Sequence, residues 1–185
     1  MAAEPEVQAL TVTVQAMRRR HVRSVLRIEQ QVYPRPWSSS LFLSELALRS
    51  TRAYYVARVG RDLVGYAGLM MTLDEGHVTT IAVDPRRHRA KIGTRLLLVL
   101  AREAIARGAT ALTLEVRMSN TAAQDMYRRF GFGPVGVRKN YYQEVNEDAL
   151  VMWAHEIDQP AYAELLDSIE RTIPGETIVE GAKRG

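Results

Sequence analysis

Hydrophobic positions in the first part of the chain follow a strand spacing and then a helical one. Residues 10–14 alternate between apolar and polar side chains, which predicts a strand. Residues 17–33 place apolar side chains three and four positions apart, and Pro34 ends the helix that this spacing predicts. Ser38 can cap a shorter helix that continues to about residue 49.

Three β-branched and aromatic segments come next. Residues 53–59 and 63–71 flank a tight turn at 60–62, which is the pattern of a β-hairpin. Residues 77–83 form the third segment, and Asp84-Pro85 ends it. Together these segments predict an antiparallel meander of three strands.

The second half of the chain alternates helices and strands. Residues 92–107 carry the clearest helical stripe, and Gly108 stands where a helix-ending glycine belongs. Four further elements follow, in the order strand, helix, strand and strand, over residues 111–116, 120–130, 132–140 and 149–157. The whole order predicts one α/β domain with a mixed sheet of about seven strands flanked by helices.

The two ends of the chain carry weaker patterns. We expect residues 1–9 to be a disordered N-terminus and residues 10–157 to form the domain. The segment 158–185 contains a weak amphipathic helix over 159–171, and we expect a disordered tail to follow it.

The absence of cysteine narrows the possible chemistry. None of the 185 residues is a cysteine, which excludes disulfides, thiolate zinc sites and cysteine nucleophiles. The four histidines show no ligand spacing, so we expect no metal. Since no long apolar run and no secretory pattern occur, we expect a cytoplasmic protein without membrane contact.

The chain is basic, with 25 lysines and arginines against 21 acidic residues. This charge fits either a solvated surface or attraction to an anion, such as nucleic acid or a phosphate-rich cofactor. No nucleic-acid-binding motif is present, and we expect no direct contact with nucleic acid.

A candidate phosphate site lies between the third strand of the meander and the long helix. A loop containing five basic residues leads into the helix near Gly93. The first backbone N–H groups of a helix have no partner within it, and they favour an anion. The alternative is a basic loop on a solvated surface. The segment is neither a P-loop nor a dinucleotide-binding fingerprint.

Two further side chains are candidates for proton transfer. Glu115 and Arg117 face the same way on an alternating strand, where a surface ion pair is the alternative interpretation. Tyr127 has the spacing of a core residue, yet a buried tyrosine needs a partner for its hydroxyl.

Several short strings, in their order and spacing, resemble the GNAT superfamily over about residues 10–157. They are Asp74-Glu75-Gly76-His77, Ile81-Ala82-Val83-Asp84-Pro85, Leu114-Glu115-Val116-Arg117, Ser119-Asn120-Thr121-Ala122-Ala123 and Tyr127-Arg128-Arg129-Phe130-Gly131-Phe132. Two more, Pro36-Trp37-Ser38 and Arg138-Lys139-Asn140-Tyr141-Tyr142, are similar to those of RimI-type N-terminal acetyltransferases. The resemblance implies the GNAT acyl-CoA N-acyltransferase fold, with a mostly antiparallel sheet, and acetyl-CoA as co-substrate.

The resemblance also implies which residues bind the coenzyme. Backbone groups of Ile81, Ala82 and Val83 would pair with the pantetheine arm, and Asn120 would contact that arm as well. The pyrophosphate would lie on the loop and helix start formed by His88, Arg89, Ala90, Lys91, Ile92, Gly93 and Thr94.

Roles in catalysis and substrate binding follow from the same resemblance. Glu115 would be the general base through water, and Tyr127 would be the general acid near the sulfur. Trp37 and Tyr141 would help to form a groove for a peptide N-terminus. For Glu115 to be an effective base we expect it to be partly buried, with a raised pKa.

One position departs from the family pattern. Lys91 stands where the pyrophosphate loop usually has its first glycine, and His88 replaces the usual Gln or Arg. A side chain at this position could crowd the phosphate or resist the required backbone angles. We favour the alternative that Lys91 keeps an allowed conformation and adds a cation.

The expected reaction is direct attack by an amine on the acetyl thioester in a ternary complex. An α-amino group has a pKa about 2.5 units below that of a lysine, so it needs about 3 kcal/mol less to become neutral. We therefore expect transfer to a protein N-terminus, in particular the N-terminal alanine of a ribosomal protein. The acidic loop 143–148 has two interpretations: it is a solvated turn, or it attracts a cationic peptide by its negative charge.

Other functions stay open at this stage. They are acetylation of protein lysines or of small amines, a non-catalytic binding module of GNAT type, and a nucleic-acid binder suggested by charge alone.

Overall fold

The computed structural model describes residues 9–88 and 90–181. Its described part contains eight strands: β1 Leu10–Ala16, β2 Arg52–Val59, β3 Asp62–Thr72, β4 Glu75–Val83, β5 Ala111–Arg117, β6 Gly133–Tyr142, β7 Glu147–His155 and β8 Gly175–Glu180. They form one sheet in the order β6-β7-β5-β4-β3-β2-β1-β8. The pairs β4–β5 and β1–β8 are parallel and the others are antiparallel, so the predicted fold class is confirmed with one strand more than expected.

Five α-helices flank this sheet: α1 Val22–Val32, α2 Ser39–Ala47, α3 Ile92–Ala106, α4 Thr121–Arg129 and α5 Pro160–Arg171. On one face α1 and α2 enclose a small core around Phe42 and Tyr66, which meet edge to face at 5.9 Å. On the other face α3 covers the larger core, and its leucines at 96, 97 and 100 are fully buried. No helix of the described part is long and apolar enough to cross a membrane.

The centre of the sheet is open between β4 and β5. These strands pair over only three positions, from Glu75 opposite Ala111 to His77 opposite Thr113. The register of β3 against β4 shifts just beyond that point, leaving Thr79 without a partner in the ladder. A bulge of this kind bends a strand and increases its twist. The remaining edges of β4 and β5 therefore diverge and form a cleft.

The C-terminal segment completes the sheet. The helix expected over 159–171 is α5, but the expected disorder of the tail is wrong for β8, which pairs with the whole length of β1. The sequence did not predict this strand because the strand is short and begins at a Pro-Gly turn. It lies at an exposed edge of the sheet and shows no alternation of apolar and polar residues. Residues 1–8 and 182–185, expected to be disordered, lie outside the described residues.

A buried arginine ties this segment to the long helix. Arg95 of α3 is fully buried, and its guanidinium donates to the carbonyl oxygens of Pro174 and Glu176 and to the hydroxyl of Thr177, at 2.5–2.9 Å. Arg102, two turns further along α3, pairs with Asp167 and Glu170 of α5. The C-terminal segment is therefore packed against the helix whose first turn is the predicted phosphate site.

Gly175 is the point at which β8 can be tested. It has a φ of +80°, and a Cβ there would overlap the backbone of Leu10 on β1. We expect Gly175→Ala to loosen β8 and to lower the free energy of unfolding, measured by urea denaturation. Gly181→Ala is the matched control, because Gly181 has a φ of +77° with nothing within 4 Å of its Cβ position.

Both substitutions place an alanine in a left-handed backbone conformation, which destabilises each variant. The difference between the two changes in the free energy of unfolding therefore reports only the overlap with the backbone of Leu10. The free energy of unfolding should fall by at least about 1 kcal/mol more in Gly175→Ala than in Gly181→Ala. Amide hydrogens of β1 should also exchange faster in that variant. Equal losses in the two variants would show that β8 contributes little to the fold.

Candidate active site

The cleft between β4 and β5 exposes backbone groups at the centre of the sheet. Ile81 and Val83 pack toward the core beneath α3, whereas Ala82 packs toward α1 and α2. The free edge of β4 thus contains all three residues that were predicted to bind the pantetheine arm. An extended amide-containing ligand can pair with such an edge as an added strand does.

The first turn of α3 presents unpaired amide groups beside this edge. The first hydrogen bond of the helix runs from the amide of Arg95 to the carbonyl of Lys91, at 3.0 Å. The amides of Ile92, Gly93 and Thr94 precede it and therefore have no acceptor within the helix. Together with the positive end of the helix dipole they fit a pyrophosphate group.

Lys91 has a backbone conformation that glycine adopts most readily. Its φ and ψ are 56° and 26°, in the left-handed region. This conformation is allowed, as expected, but it costs a residue with a side chain about 1–2 kcal/mol. As the residue immediately before α3, Lys91 adds a cation to the sequence at the start of this helix.

The other basic residues of the loop are less available than the sequence suggested. Arg86 forms a bidentate pair with Asp84, with its Nη2 atom 2.7 Å from Oδ2. Arg87 lies 3.8 Å from a carboxylate oxygen of Asp62. His88 is exposed and Ala90 is buried, and Arg89 lies outside the described residues. Lys91 and the amides of α3 therefore carry most of the attraction for phosphate that the described part of this loop offers.

Glu115 lies on β5 where the cleft opens, and its side chain is 10% exposed. The Nε2 atom of His77 on β4 is 2.6 Å from its Oε2 atom, and Arg138 lies 3.5 Å from Oε1. The hydrogen bond with His77 lowers the pKa of Glu115, and the charge of Arg138 adds to this against the effect of burial. The expected partial burial is confirmed, but the expected rise in pKa is wrong, because these two partners outweigh desolvation.

Tyr127 of α4 is buried beside Phe132, with the ring centroids 5.8 Å apart. Burial is the largest influence that raises the pKa of Tyr127 well above its ordinary value, and the nearby phenols of Tyr33 and Tyr142 raise it further. Tyr142 in turn donates to the backbone carbonyl of Glu115 at 3.4 Å. Tyr142 thus contacts the backbone of one predicted catalytic residue, Glu115, and lies close enough to the other, Tyr127, to influence its pKa.

Tyr33 and Glu29 are functional candidates that the sequence analysis missed. The hydroxyl of Tyr33 donates to the carbonyl of Ile81 at 3.1 Å, on the edge of β4 that faces the cleft. Glu29 is 2% exposed, accepts from the amide of Trp37 at 2.9 Å, and also accepts from the hydroxyl of Tyr66. Burial raises the pKa of Glu29 despite these hydrogen bonds.

A signal for Glu29 was present in the sequence. It is an acidic residue at a helical spacing from Val22 and Val25, on the face of α1 that turns inward. An acid on such a face is buried only with hydrogen-bond partners. In this protein those partners fix the turn that contains Trp37.

Two loops flank the open end of the cleft. Trp37 precedes α2 and its ring packs on Phe42 at 5.2 Å, while Tyr141 at the end of β6 is 45% exposed and meets Tyr142 edge to face. Arg35 and Glu144 form an ion pair of 3.1 Å that connects the two loops. This ion pair joins the turn that contains Trp37 to the loop that follows Tyr141.

The acids of the loop 143–148 have partners inside the protein. Glu144 pairs with Arg35, Glu147 accepts from the amide and the hydroxyl of Ser119, and Asp148 accepts from the amide of Asn140 at 2.7 Å. Hydrogen bonds therefore brace the loop, and of its three acids only Glu144 is paired with a cation within the described residues. Asn120 caps α4 by accepting from the amide of Ala123 at 3.2 Å, so only its amide nitrogen is left for a ligand.

A splayed mixed sheet, a helix start that fits pyrophosphate, and a carboxylate and a phenol at the cleft define an acyltransferase of the GNAT type. The sequence profile of the Acetyltransferase (GNAT) family matches residues 22–132, and the chain belongs to this family.

Its relatives include N-terminal acetyltransferases. The chain is 40% identical over 148 residues to N-alpha-acetyltransferase RimI of Mycobacterium tuberculosis, covering 76% of this chain and 90% of the relative. It is 34% identical over 142 residues to the ribosomal protein bS18-alanine N-acetyltransferase of Escherichia coli K12. This match covers 76% of this chain and 95% of the relative. The crystal structure of the ribosomal-protein-S18-alanine N-acetyltransferase from Escherichia coli matches with a TM-score of 0.71 at 32% identity, over 78% of this chain and 94% of that one.

The conformation of Lys91 leads to a prediction that separates strain from charge. Lys91→Gly and Lys91→Ala both remove the cation, but only glycine relieves the left-handed backbone. We expect Lys91→Gly to be more stable than Lys91→Ala by about 1 kcal/mol in thermal unfolding.

Both variants should bind coenzyme A a few-fold more weakly than the parent by calorimetry. The difference in affinity for coenzyme A between each variant and the parent should become smaller as salt is added, because salt screens the interaction of Lys91 with phosphate. Equal stability of the two variants would show that the backbone at Lys91 is not strained. Unchanged affinity for coenzyme A at low salt would show that the charge of Lys91 does not contribute to binding.

Proposed function

We propose that this protein transfers the acetyl group of acetyl-CoA to the N-terminal α-amino group of a protein, in particular the N-terminal alanine of a ribosomal protein. The observation that carries the proposal is Glu115, which lies almost buried where β4 and β5 separate and is hydrogen-bonded to His77. The names of the relatives support the choice of acceptor.

Acetyl-CoA supplies an acetyl group activated as a thioester. On our proposal, the amides of Ile92, Gly93 and Thr94, with the cation of Lys91, hold the pyrophosphate. The free edge of β4 then orients the pantetheine arm toward Glu115. Tyr33 fixes that edge, because its hydroxyl donates to Ile81. A fixed edge aligns the thioester with the amine and reduces the entropy that the reaction must otherwise lose.

The acceptor amine must lose a proton in order to attack. A carboxylate with a lowered pKa is a weak base alone, so we assign this role to the hydrogen-bonded pair of Glu115 and His77. Histidine is the side chain whose ordinary pKa lies between about 5 and 8, which suits it to proton transfer near neutral pH. The amine nitrogen forms the new bond to the acetyl carbon, and its proton passes through water to this pair. A proton shared in this way belongs to the pair and to neither residue by itself.

The bond between the acetyl carbon and sulfur breaks as the amide forms, and the thiolate leaves. Burial raises the pKa of Tyr127 above its ordinary value, so this phenol stays protonated and is a weaker acid than an ordinary tyrosine. Its proposed role is to donate a hydrogen bond to the departing sulfur, which stabilises developing charge without complete proton transfer.

A panel of N-terminal peptides tests this proposal. Purified protein, acetyl-CoA and peptides that begin with Ala, Ser or Met should give acetylation of the free α-amino group, measured by mass spectrometry. A peptide with a blocked N-terminus and an internal lysine is the control. Modification of the lysine peptide alone would contradict the proposed acceptor.

Two variants in the same assay test the catalytic residues. Glu115→Gln and Tyr127→Phe should each lower kcat by about 10² or more while coenzyme affinity by calorimetry stays within a few-fold. Unchanged turnover in either variant would remove that residue from the mechanism.

His77 is proposed to position and assist Glu115, which leads to a prediction about pKa. In His77→Ala the pKa of Glu115 should rise toward its ordinary value, because its strongest stabilising partner is lost. The rise can be measured by carbon NMR titration of the Glu115 carboxyl group. His77→Gln, which keeps a hydrogen-bond donor, should retain more of the turnover than His77→Ala.

His155→Ala is the matched control, since His155 is exposed at the end of β7 and stacks on Trp153. It should leave both the Glu115 titration and the turnover unchanged. A Glu115 titration that is the same with and without His77 would contradict the pairing.

A further inference from the structure

A second cavity lies away from the active site. It has a volume of about 800 Å³ and opens where β1 ends, β2 begins and α2 ends. This volume is within the range of pockets for small molecules. None of the residues predicted to bind coenzyme or acceptor lines it.

The cavity is strongly basic. Six arginines line it against a single glutamate: Arg18, Arg19, Arg20, Arg49, Arg52 and Arg107. Arg52 is neutralised by Glu45 at 2.7 Å, and Arg107 by Glu103 at 2.6 Å. Within the described part of the chain, the other four have no carboxylate within 4.0 Å.

The frame that holds these arginines is fixed by hydrogen bonds. The amide of Arg18 donates to Nδ1 of the buried His21 at 2.9 Å, which ties down the turn 18–20. The guanidinium of Arg107 donates to the carbonyl of Arg49 at 3.1 Å, which ties down the loop after α2. The two rims of the cavity are thus attached to the body of the fold.

The charges around His21 show that the potential here is positive. Burial lowers the pKa of His21, and the charges of Arg20, Arg58 and Arg18 lower it further. Like charges that converge on a concave surface repel one another, and an anion at their centre removes this repulsion. Guanidinium groups bind phosphate oxygens in pairs, which makes phosphate the anion that suits an arginine rim.

Part of the cavity wall between the arginines is apolar or aromatic. Leu43 and Leu46 are partly exposed there, and the almost buried Met17 and Tyr54 also line it. A ligand that is only phosphate would leave the two leucines in contact with water. A ligand with both phosphates and a flat, largely apolar ring system would cover the arginines and the walls together.

We propose that this cavity binds a free nucleoside polyphosphate, with its phosphates on Arg18, Arg19 and Arg49 and its base against the apolar walls. This site goes beyond the proposed acetyl transfer and does not depend on it. The coenzyme is predicted to bind at the first turn of α3, whereas Arg107 follows the last turn. Since α3 has 15 residues, these ends are about 22 Å apart.

Isothermal calorimetry with ATP tests the site. Saturating coenzyme A is present throughout, so that the nucleotide cannot occupy the coenzyme site. We expect one ATP per chain, weaker binding of inorganic triphosphate, and no detectable binding of adenosine. The variant Arg18→Ala/Arg49→Ala should bind ATP at least tenfold more weakly, since two charged contacts are lost.

Arg171→Ala is the matched control, because Arg171 is an exposed arginine on α5 that does not line the cavity. It should bind ATP as the parent does. Thermal unfolding of each variant confirms that it is folded, and both variants should acetylate peptides at the parental rate. Failure of the nucleotide site is therefore distinguishable from failure of the proposed enzymatic function.

Three results would overturn the proposal. The first is no binding of ATP at millimolar concentration. The second is binding that is equal in the parent and in Arg18→Ala/Arg49→Ala, which would place it elsewhere on the protein. The third is arginine-dependent binding of a single-stranded RNA oligonucleotide with none of ATP, which would assign the surface to nucleic acid instead.

Discussion

The divergence of β4 from β5 is the constraint on which the rest of the structure depends. Backbone N–H and C=O groups at the centre of a sheet are ordinarily paired, and leaving them open costs free energy. This protein opens them after three pairs, at a bulge beside Thr79. Water or an extended ligand must then satisfy them, which is why a coenzyme with amide groups in its arm suits this cleft.

Polar side chains stabilise both strands at the opening. At β4, Tyr33 donates to Ile81 on the free edge, and the buried Glu29 holds the turn that leads to Trp37. At β5, Tyr142 donates to the backbone of Glu115. Hydrogen bonds in such a low-dielectric setting are strong, so the walls of the cleft are held before any ligand binds.

The C-terminal segment supports the same site from behind. Arg95 joins the first turns of α3 to β8, and Arg102 joins the middle of α3 to α5. A helix whose first turn we propose to hold phosphate benefits from being immobile, because its amides are then already aligned. The segment lies beyond the helices and strands that the family resemblance covers, yet it is continuous with the sheet.

Local patterns in the sequence were sufficient to predict many of the helices and strands and the family of this protein. The β-branched and aromatic segments within residues 53–83, with the turns between them, and the helical stripe of 92–107 led to the correct elements. The strings around Glu115 and Tyr127 led to the correct family.

Only the tertiary structure decided what depends on neighbours distant in the chain. His77 and Arg138 reverse the expected pKa shift of Glu115, and they approach it only because β4 and β6 fold beside β5 and β7. The pairing of β8 with β1, the clamp of Arg95 and the gathering of arginines around the second cavity likewise join segments that are far apart in the chain. Sequence periodicity records burial along one element, whereas a pKa, a register and a cavity are properties of several elements in contact.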